Sequence, residues 1–178
     1  MKNYLFTSDR LGFRSWVPQD FTPLYDLCQD KRVMEFFPDL PDEKRIHDAL
    51  NKFNNYQAEY GYTFWAVELL ESGEFIGFIG LAPVLDLPFA PATEIGWRLA
   101  YKYWNKGYAK EGAKACINYG FNQLNLDKIV SFTAVLNKRS EAVMKKIGMI
   151  KTGEFGHPKV PTDNWLHQHV LYEIKNED

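Results

Sequence analysis

Cysteine is scarce in this chain: Cys28 and Cys116 are its only two, far apart and in no C-x-x-C spacing. That argues against a disulfide framework or a thiolate metal site and fits a reducing compartment. An excess of one charge is missing too. A formal net charge of -2 gives no global field to draw nucleic acid or an anionic membrane, so any anion site has to be local. The opening "MKNYLFTSDRLGF" holds no apolar stretch of signal-peptide length, and no later window approaches a membrane span. A cytoplasmic protein without nucleic-acid or membrane partners is expected. No repeat, low-complexity tract or Gly/Ser linker interrupts residues 1–178, so one domain is expected across them.

Apolar residues make up 46% of the chain and aromatics 16%, enough both to fill a core and to wall a groove. "LGFRSW" alternates like a strand, and "PQDFTPLYDLCQD" reads as a short helix with Pro18 in its first turn. In "PDEKRIHDALNKFNNYQAEYG", Ile46, Leu50, Phe53 and Tyr60 recur near a helical period and Gly61 supplies the stop. "YTFWAVELL" and "EFIGFIGLAPV", joined by "ESG", predict an antiparallel hairpin, and "TEIGWRLA" a third strand. A helix follows with Ala109, Ala113, Ile117, Gly120, Phe121 and Leu124 on one face. "DKIVSFTAVL" is strand-like, and "NKRSEAVMKKIG" a short helix capped by Asn137 and ended by Gly148. "MIKTGEFG" and "HQHVLYEI" read as closing strands.

The order predicts an α/β fold of about seven strands in a mixed sheet with helices on its faces. The strand-helix-strand unit from Thr93 to Leu136 predicts one parallel pair with a right-handed connection. The remaining neighbours read as antiparallel.

One stretch stands apart. "YWNKGYAKEG", Tyr103 to Gly112, follows a strand and opens a helix. The first amides of a helix lack intrahelical partners and carry partial positive charge, and a Gly/Ala loop lets an anion come close to them. A nucleoside-triphosphate loop is not indicated, because Ala113 stands where its Lys belongs, and there is no G-x-G-x-x-G. An ordinary loop-to-helix junction with solvated Lys106 and Lys110 would account for the stretch alone.

Together with "EIGWRL" before it and "NKRSEAVMKKIGM" after it, "WNKGYA" resembles the GNAT superfamily of acyl-CoA-dependent N-acetyltransferases. Within it, the chain looks similar to the ribosomal-protein N-terminal acetyltransferases. Gly107 and Ala109 match the hallmark Q/R-x-x-G-x-G/A, whereas Trp104 replaces its first Gln or Arg. The resemblance implies that the parallel strands splay apart and that acetyl-CoA is the cosubstrate. Its pyrophosphate would lie on the amides around Lys106, Gly107, Tyr108 and Ala109, its pantetheine along Leu99 and the nearby backbone, with Trp97, Asn105, Lys110, Asn137 and Ser140 also binding the cofactor. No metal is implied.

Acetyl transfer needs a neutral amine, so a base has to take its proton; the acyl oxygen and the departing thiolate each need a hydrogen-bond donor. Glu94 is the candidate base, with a surface ion pair as its bland alternative. Ser140 is the candidate partner of the leaving sulfur, with a first-turn Ser behind an Asn cap as the alternative. The amide of Trp97 or Leu99 would polarise the acyl oxygen. His167 and His169 read as a polar strand face rather than metal ligands, His157 as a residue of the acceptor entrance, and His47 as exposed.

For the acceptor, Phe36, Phe37, Asp39, Trp65 and "GHPKVPTDNW" are candidates for an aromatic and acidic groove. Glu35, Asp39 and Asp42 suit a cationic amine, though acidic helix starts explain them equally. A protein N-terminus, a small amine and an antibiotic all stay open as acceptors, as does a non-catalytic acyl-CoA-binding module. A homodimer is an open arrangement.

Overall fold

A computed structural model describes residues 3–176. Eight strands form one sheet: β1 (Phe6–Thr7), β2 (Leu11–Arg14), β3 (Phe64–Leu69), β4 (Phe75–Val84), β5 (Ala92–Leu99), β6 (Lys128–Ala134), β7 (Ile150–Gly156) and β8 (Gln168–Lys175). Four helices accompany them: α1 (Phe21–Gln29), α2 (Glu43–Tyr60), α3 (Tyr108–Asn122) and α4 (Lys138–Lys146). The sheet runs β1-β2-β3-β4-β5-β6-β8-β7, antiparallel throughout except for β5 beside β6.

Eight strands replace the expected seven. The addition is β1, whose two residues are too short to show any period; it is held by tertiary contacts. Phe6 stacks at 4.4 Å between ring centroids on both Phe13, its partner on the next strand, and Tyr119 of the distant α3.

The sheet buries both faces. Under α3 lie Ile79, Leu81, Ile95 and Ile129, joined by Ala113, Cys116 and Ile117 of the helix and Met144 of α4. On the other face, Leu24, Leu27 and Cys28 of α1 and Ile46 and Leu50 of α2 pack with Phe78. Both helix pairs follow from the apolar spacing in their sequences. Asp42 caps α2 by accepting from Arg45 N at 2.8 Å, and Gly61 ends it at a positive φ of 79°.

Glycine permits one close approach that shapes the second face. A Cβ on Gly80 would stand 2.1 Å from Thr63 O, and one on Gly96 would stand 2.9 Å from Phe64 Cε1. Phe64 and Gly80 are register partners, as are Gly80 and Gly96, so Phe64 reaches over two side-chain-free positions and lies across β5.

Candidate active site

β5 and β6 share one pair of Cα partners, Glu94 with Val130. Next to it Ser131 Oγ donates to Ile95 O at 2.9 Å. Beyond that point β6 pairs only with β8, and β5 only with β4. The parallel strands therefore diverge toward their carboxyl ends, where open α/β sheets receive ligands. Along β5, Ala100 N donates to Ile76 O at 2.9 Å, which assigns the even-numbered amides to the β4 side. The amides of Trp97 and Leu99 thus face the opening. Leu99 O is already taken by Trp104 Nε1 at 2.8 Å, so the Trp that replaces the hallmark Gln or Arg spends its one side-chain donor on tying the loop to the strand.

The loop at the mouth of this opening alternates backbone conformations. Asn105 has φ 60° and Gly107 has φ 83°. Among the described residues the amides from Asn105 to Lys110 have no protein acceptor; the first bond of the α3 junction is Glu111 N to Gly107 O, 3.0 Å. Six unpartnered amides on a turning backbone, at the positive end of a 15-residue helix, offer an anion a cradle of free donors. A diphosphate fits such donors.

Sequence reasoning missed what builds this cradle. Glu111 sits in the first turn, where its charge would repel an anion, yet it is turned away. Its carboxylate accepts from Ser8 Oγ at 2.7 Å, Arg10 N at 2.8 Å and Arg10 Nε at 2.7 Å. Arg10 also donates through Nη2 to Lys106 O at 3.2 Å and lies over the Tyr108 ring at 4.4 Å. One arginine, remote in sequence, neutralises the acid and braces the loop from behind.

Asn137 and Ser140 start α4, directly after β6. Asn137 Oδ1 accepts from Ser140 N at 3.2 Å, while its Nδ2 donates to Thr133 Oγ1 at 2.9 Å and Ser140 Oγ at 3.1 Å. Asn137 therefore does the capping work, and the Ser140 hydroxyl keeps its own proton free to donate. Arg139 between them lies over the Trp104 ring at 4.8 Å and pairs with Glu35. The opening, the Gly loop and the α4 start thus converge at one end of β5 and β6.

Glu94 stands at the closed end of the splay, on the face opposite Ile95. Its burial pushes the carboxyl up to about 7, opposed by the charge of Lys52 on α2. Among the described residues no cation forms an ion pair with it. A surface ion pair at a strand start does not describe this residue. Cys116 is fully buried, and burial holds its thiol far from ionising, so it is no nucleophile.

The acceptor-side expectations divide. Phe36 and Trp165 meet at 6.0 Å between ring centroids, joining the α1–α2 segment to the β7–β8 loop. Trp65 is 0% exposed beneath Phe6 and Tyr119 and cannot line a groove; its strand alternation turns it to the α3 face. Asp39 forms an exposed pair with Arg45, and Asp42 caps α2, as its place at a helix start allows. His167 and His169 are both partly buried. The His169 ring packs at a tilt against Phe155 and His157 (centroids 5.6 and 4.9 Å), and burial lowers the pKa values of His157 and His169. His167 Nδ1 lies 2.8 Å from Val160 O. His47 is exposed on α2 and stacked on Phe21. Among the described residues no three His, Cys, Asp or Glu side chains group as metal ligands, and no helix is long and apolar enough to cross a membrane.

Comparison with known proteins agrees with this geometry. Residues 10–150 match the family model described as an acetyltransferase (GNAT) domain. An uncharacterized N-acetyltransferase of Bacillus subtilis, YnaD, is 33% identical over 174 residues, covering 97% of each chain. The FsC-acetyl coenzyme A-N(2)-transacetylase of Aspergillus fumigatus is 38% identical over 169 residues, 90% of this chain and 70% of that one. The crystal structure of a GNAT-family acetyltransferase from Bacillus anthracis superposes with a TM-score of 0.80 at 29% identity, covering 97% of this chain and 98% of that one. With the splayed strands, the amide cradle and these relatives in agreement, the chain belongs to the GNAT family of acetyl-CoA-dependent N-acetyltransferases.

Proposed function

We propose that this single-domain, cytoplasmic enzyme moves the acetyl group of acetyl-CoA to a primary amine by direct attack of the amine on the thioester. Acetyl-CoA, when bound, supplies the activated acyl carbon and a thiolate leaving group. The residues of the chain do the rest. The amides of Asn105, Lys106, Gly107, Tyr108, Ala109 and Lys110 hold the pyrophosphate, and the main chain of Trp97 and Leu99 lines the arm that follows. Asn137 holds the α4 turn in register beside it.

Glu94 takes the proton from the incoming ammonium. A carboxyl near pKa 7 is half-ionised at neutral pH, which suits a base that must both accept and release a proton. The amide of Trp97 or Leu99 stabilises the charge developing on the acyl oxygen. Ser140 Oγ donates to the departing sulfur. No covalent enzyme intermediate is involved, since Cys116 is sealed in the core.

The single observation carrying this reading is the opening between β5 and β6 with the unpartnered amide cradle at its mouth. A protein N-terminus is the acceptor we put first, following the resemblance to ribosomal-protein acetyltransferases; the contact between Phe36 and Trp165 supplies an apolar wall for a chain end. The test is CoA release from acetyl-CoA against N-terminal peptides, polyamines and aminoglycosides in parallel. Turnover of peptides supports the reading. CoA binding without turnover of any amine would instead identify a binding module. Sedimentation at several concentrations reads whether two copies pair.

A further inference from the structure

The chain has six arginines. Arg10, Arg14, Arg32, Arg45 and Arg139 each pair with a carboxylate within 4.0 Å. Arg98 alone has none among the described residues. Among the described residues its one side-chain hydrogen bond runs from Nη1 to Cys28 Sγ at 3.3 Å, and sulfur is a weak acceptor. Its Nε is buried with no partner. The guanidinium lies 4.1 Å from the Phe37 ring centroid and 5.2 Å from that of Phe78.

Half-burying a guanidinium without a counter-charge is unfavourable. The aromatic faces return part of that cost. They also aim the planar fork and leave the charge unspent, and the fork matches a carboxylate in a two-point arrangement that no point charge offers. Phe37 is 42% exposed, so the guanidinium lies beside a side chain open to solvent rather than deep in the core.

Position adds the second argument. Ile95 and Leu99 turn into the core under α3, so Glu94, Gly96 and Arg98 share the opposite face of β5. Phe64 lies over Gly96 between them. Along this strand the face therefore presents a carboxyl, an apolar floor and a guanidinium, with Cα positions about 13 Å apart at its ends. The acid sits where the acceptor's amine has to lose its proton, and Arg98 sits farther along the same floor.

We propose that the guanidinium of Arg98 binds a carboxylate carried by the acceptor, so that the enzyme selects amines bearing an acid group. The proposal deepens the N-acetyltransferase reading above and rests on it. A free amino acid and a peptide with an acidic side chain offer the same chemistry.

The experiment uses the full chain with acetyl-CoA and acceptors in matched pairs, each acid beside its carboxamide. ω-Amino acids of graded length and glutamate form one arm, and short peptides with an acidic second residue form the other; the better arm identifies the source of the carboxylate. Acids are expected to exceed amides by about ten- to a hundredfold in kcat/KM, the difference lying in KM. Arg98→Met, which keeps an unbranched side chain against Phe37 and Phe78, should bring the acid-to-amide ratio toward one, and Arg98→Lys should restore part of it. Equal use of acid and amide by the wild-type enzyme overturns the proposal, as does an unchanged ratio in Arg98→Met. Should Arg98→Met not fold, the wild-type ratio and Arg98→Lys decide. If CoA binds but no amine is acetylated, the N-acetyltransferase reading fails separately. Calorimetric titration of N-acetylglutamate against its diamide, with CoA present, then reads the Arg98 site alone; equal affinity for the two overturns it.

Discussion

The hydroxyl of Tyr172 on β8 donates to Glu141 Oε1 on α4 at 2.8 Å, and both residues are buried. Lys138 and Lys145 reach the same carboxylate at 3.0 and 3.2 Å. These bonds, led by that from Lys138, hold the Glu141 carboxyl down to about 2. The hub anchors the first turn of α4, which carries Asn137 and Ser140, to the far side of the splay.

Loss of that hub should loosen both the fold and the cofactor side of the site. Tyr172→Phe and Glu141→Gln are each expected to cost about 1–3 kcal/mol in denaturant unfolding. Because the folded pKa is depressed, the contribution is present above the unfolded value near 4.5 and fades as pH falls toward 2. The stability gap between wild type and Glu141→Gln should therefore close in acid. A gap that stays constant with pH would remove the carboxylate from the account.

Gly107 should be needed for CoA binding rather than for folding alone. At φ 83° a side chain is strained, and Gly107→Ala should cost roughly 1–2 kcal/mol. A relaxed backbone there would swing the amides of Tyr108 and Ala109 out of the cradle. CoA affinity by calorimetry is expected to fall about tenfold. Weaker stability with unchanged affinity would mean that these amides do not hold the pyrophosphate.

Glu94→Gln separates catalysis from stability by pH. The wild-type carboxyl is neutral in the fold up to about 7, whereas the unfolded chain ionises near 4.5. Stability is thus full below the unfolded value and is lost as pH rises through the folded one. The Gln variant should equal wild type in acid and exceed it above neutrality by on the order of 1–3 kcal/mol. Its turnover should drop by about 10²–10⁴ and lose the rising limb of kcat/KM near neutrality. A variant that gains stability yet keeps its pH profile would end the proposed base role.

Gly80 and Gly153 make a controlled pair. Gly80→Ala drives a Cβ to 2.1 Å from a backbone oxygen and should cost about 1–3 kcal/mol or more, displacing Phe64 from the floor of the site. Gly153→Ala meets nothing within 4 Å and should stay within about 0.5 kcal/mol of wild type. Melting temperatures of the two variants check the contrast.

Much of this was legible along the chain, wherever the information is local. Apolar periods marked α2 and α3, and "ESG" between two β-rich runs marked the β3–β4 hairpin. Asn137 marked a cap, and Gly107 with Ala109 marked a helix start that leaves room for an anion. These features depend on neighbours a few residues away, which a sequence displays directly.

What only the tertiary structure decided involves partners far apart in the chain. Strand β1 exists because Phe6 finds Tyr119, and Trp65 left the expected groove because its face of β3 lies under those rings. Glu111 is harmless to an anion only because Arg10 arrives from the other end of the chain, and Arg98 stands out only once every other arginine has found its acid. Charge pairing, burial and the divergence of β5 from β6 are properties of a packed sheet, set by which surfaces the chain brings together, and no local pattern encodes them.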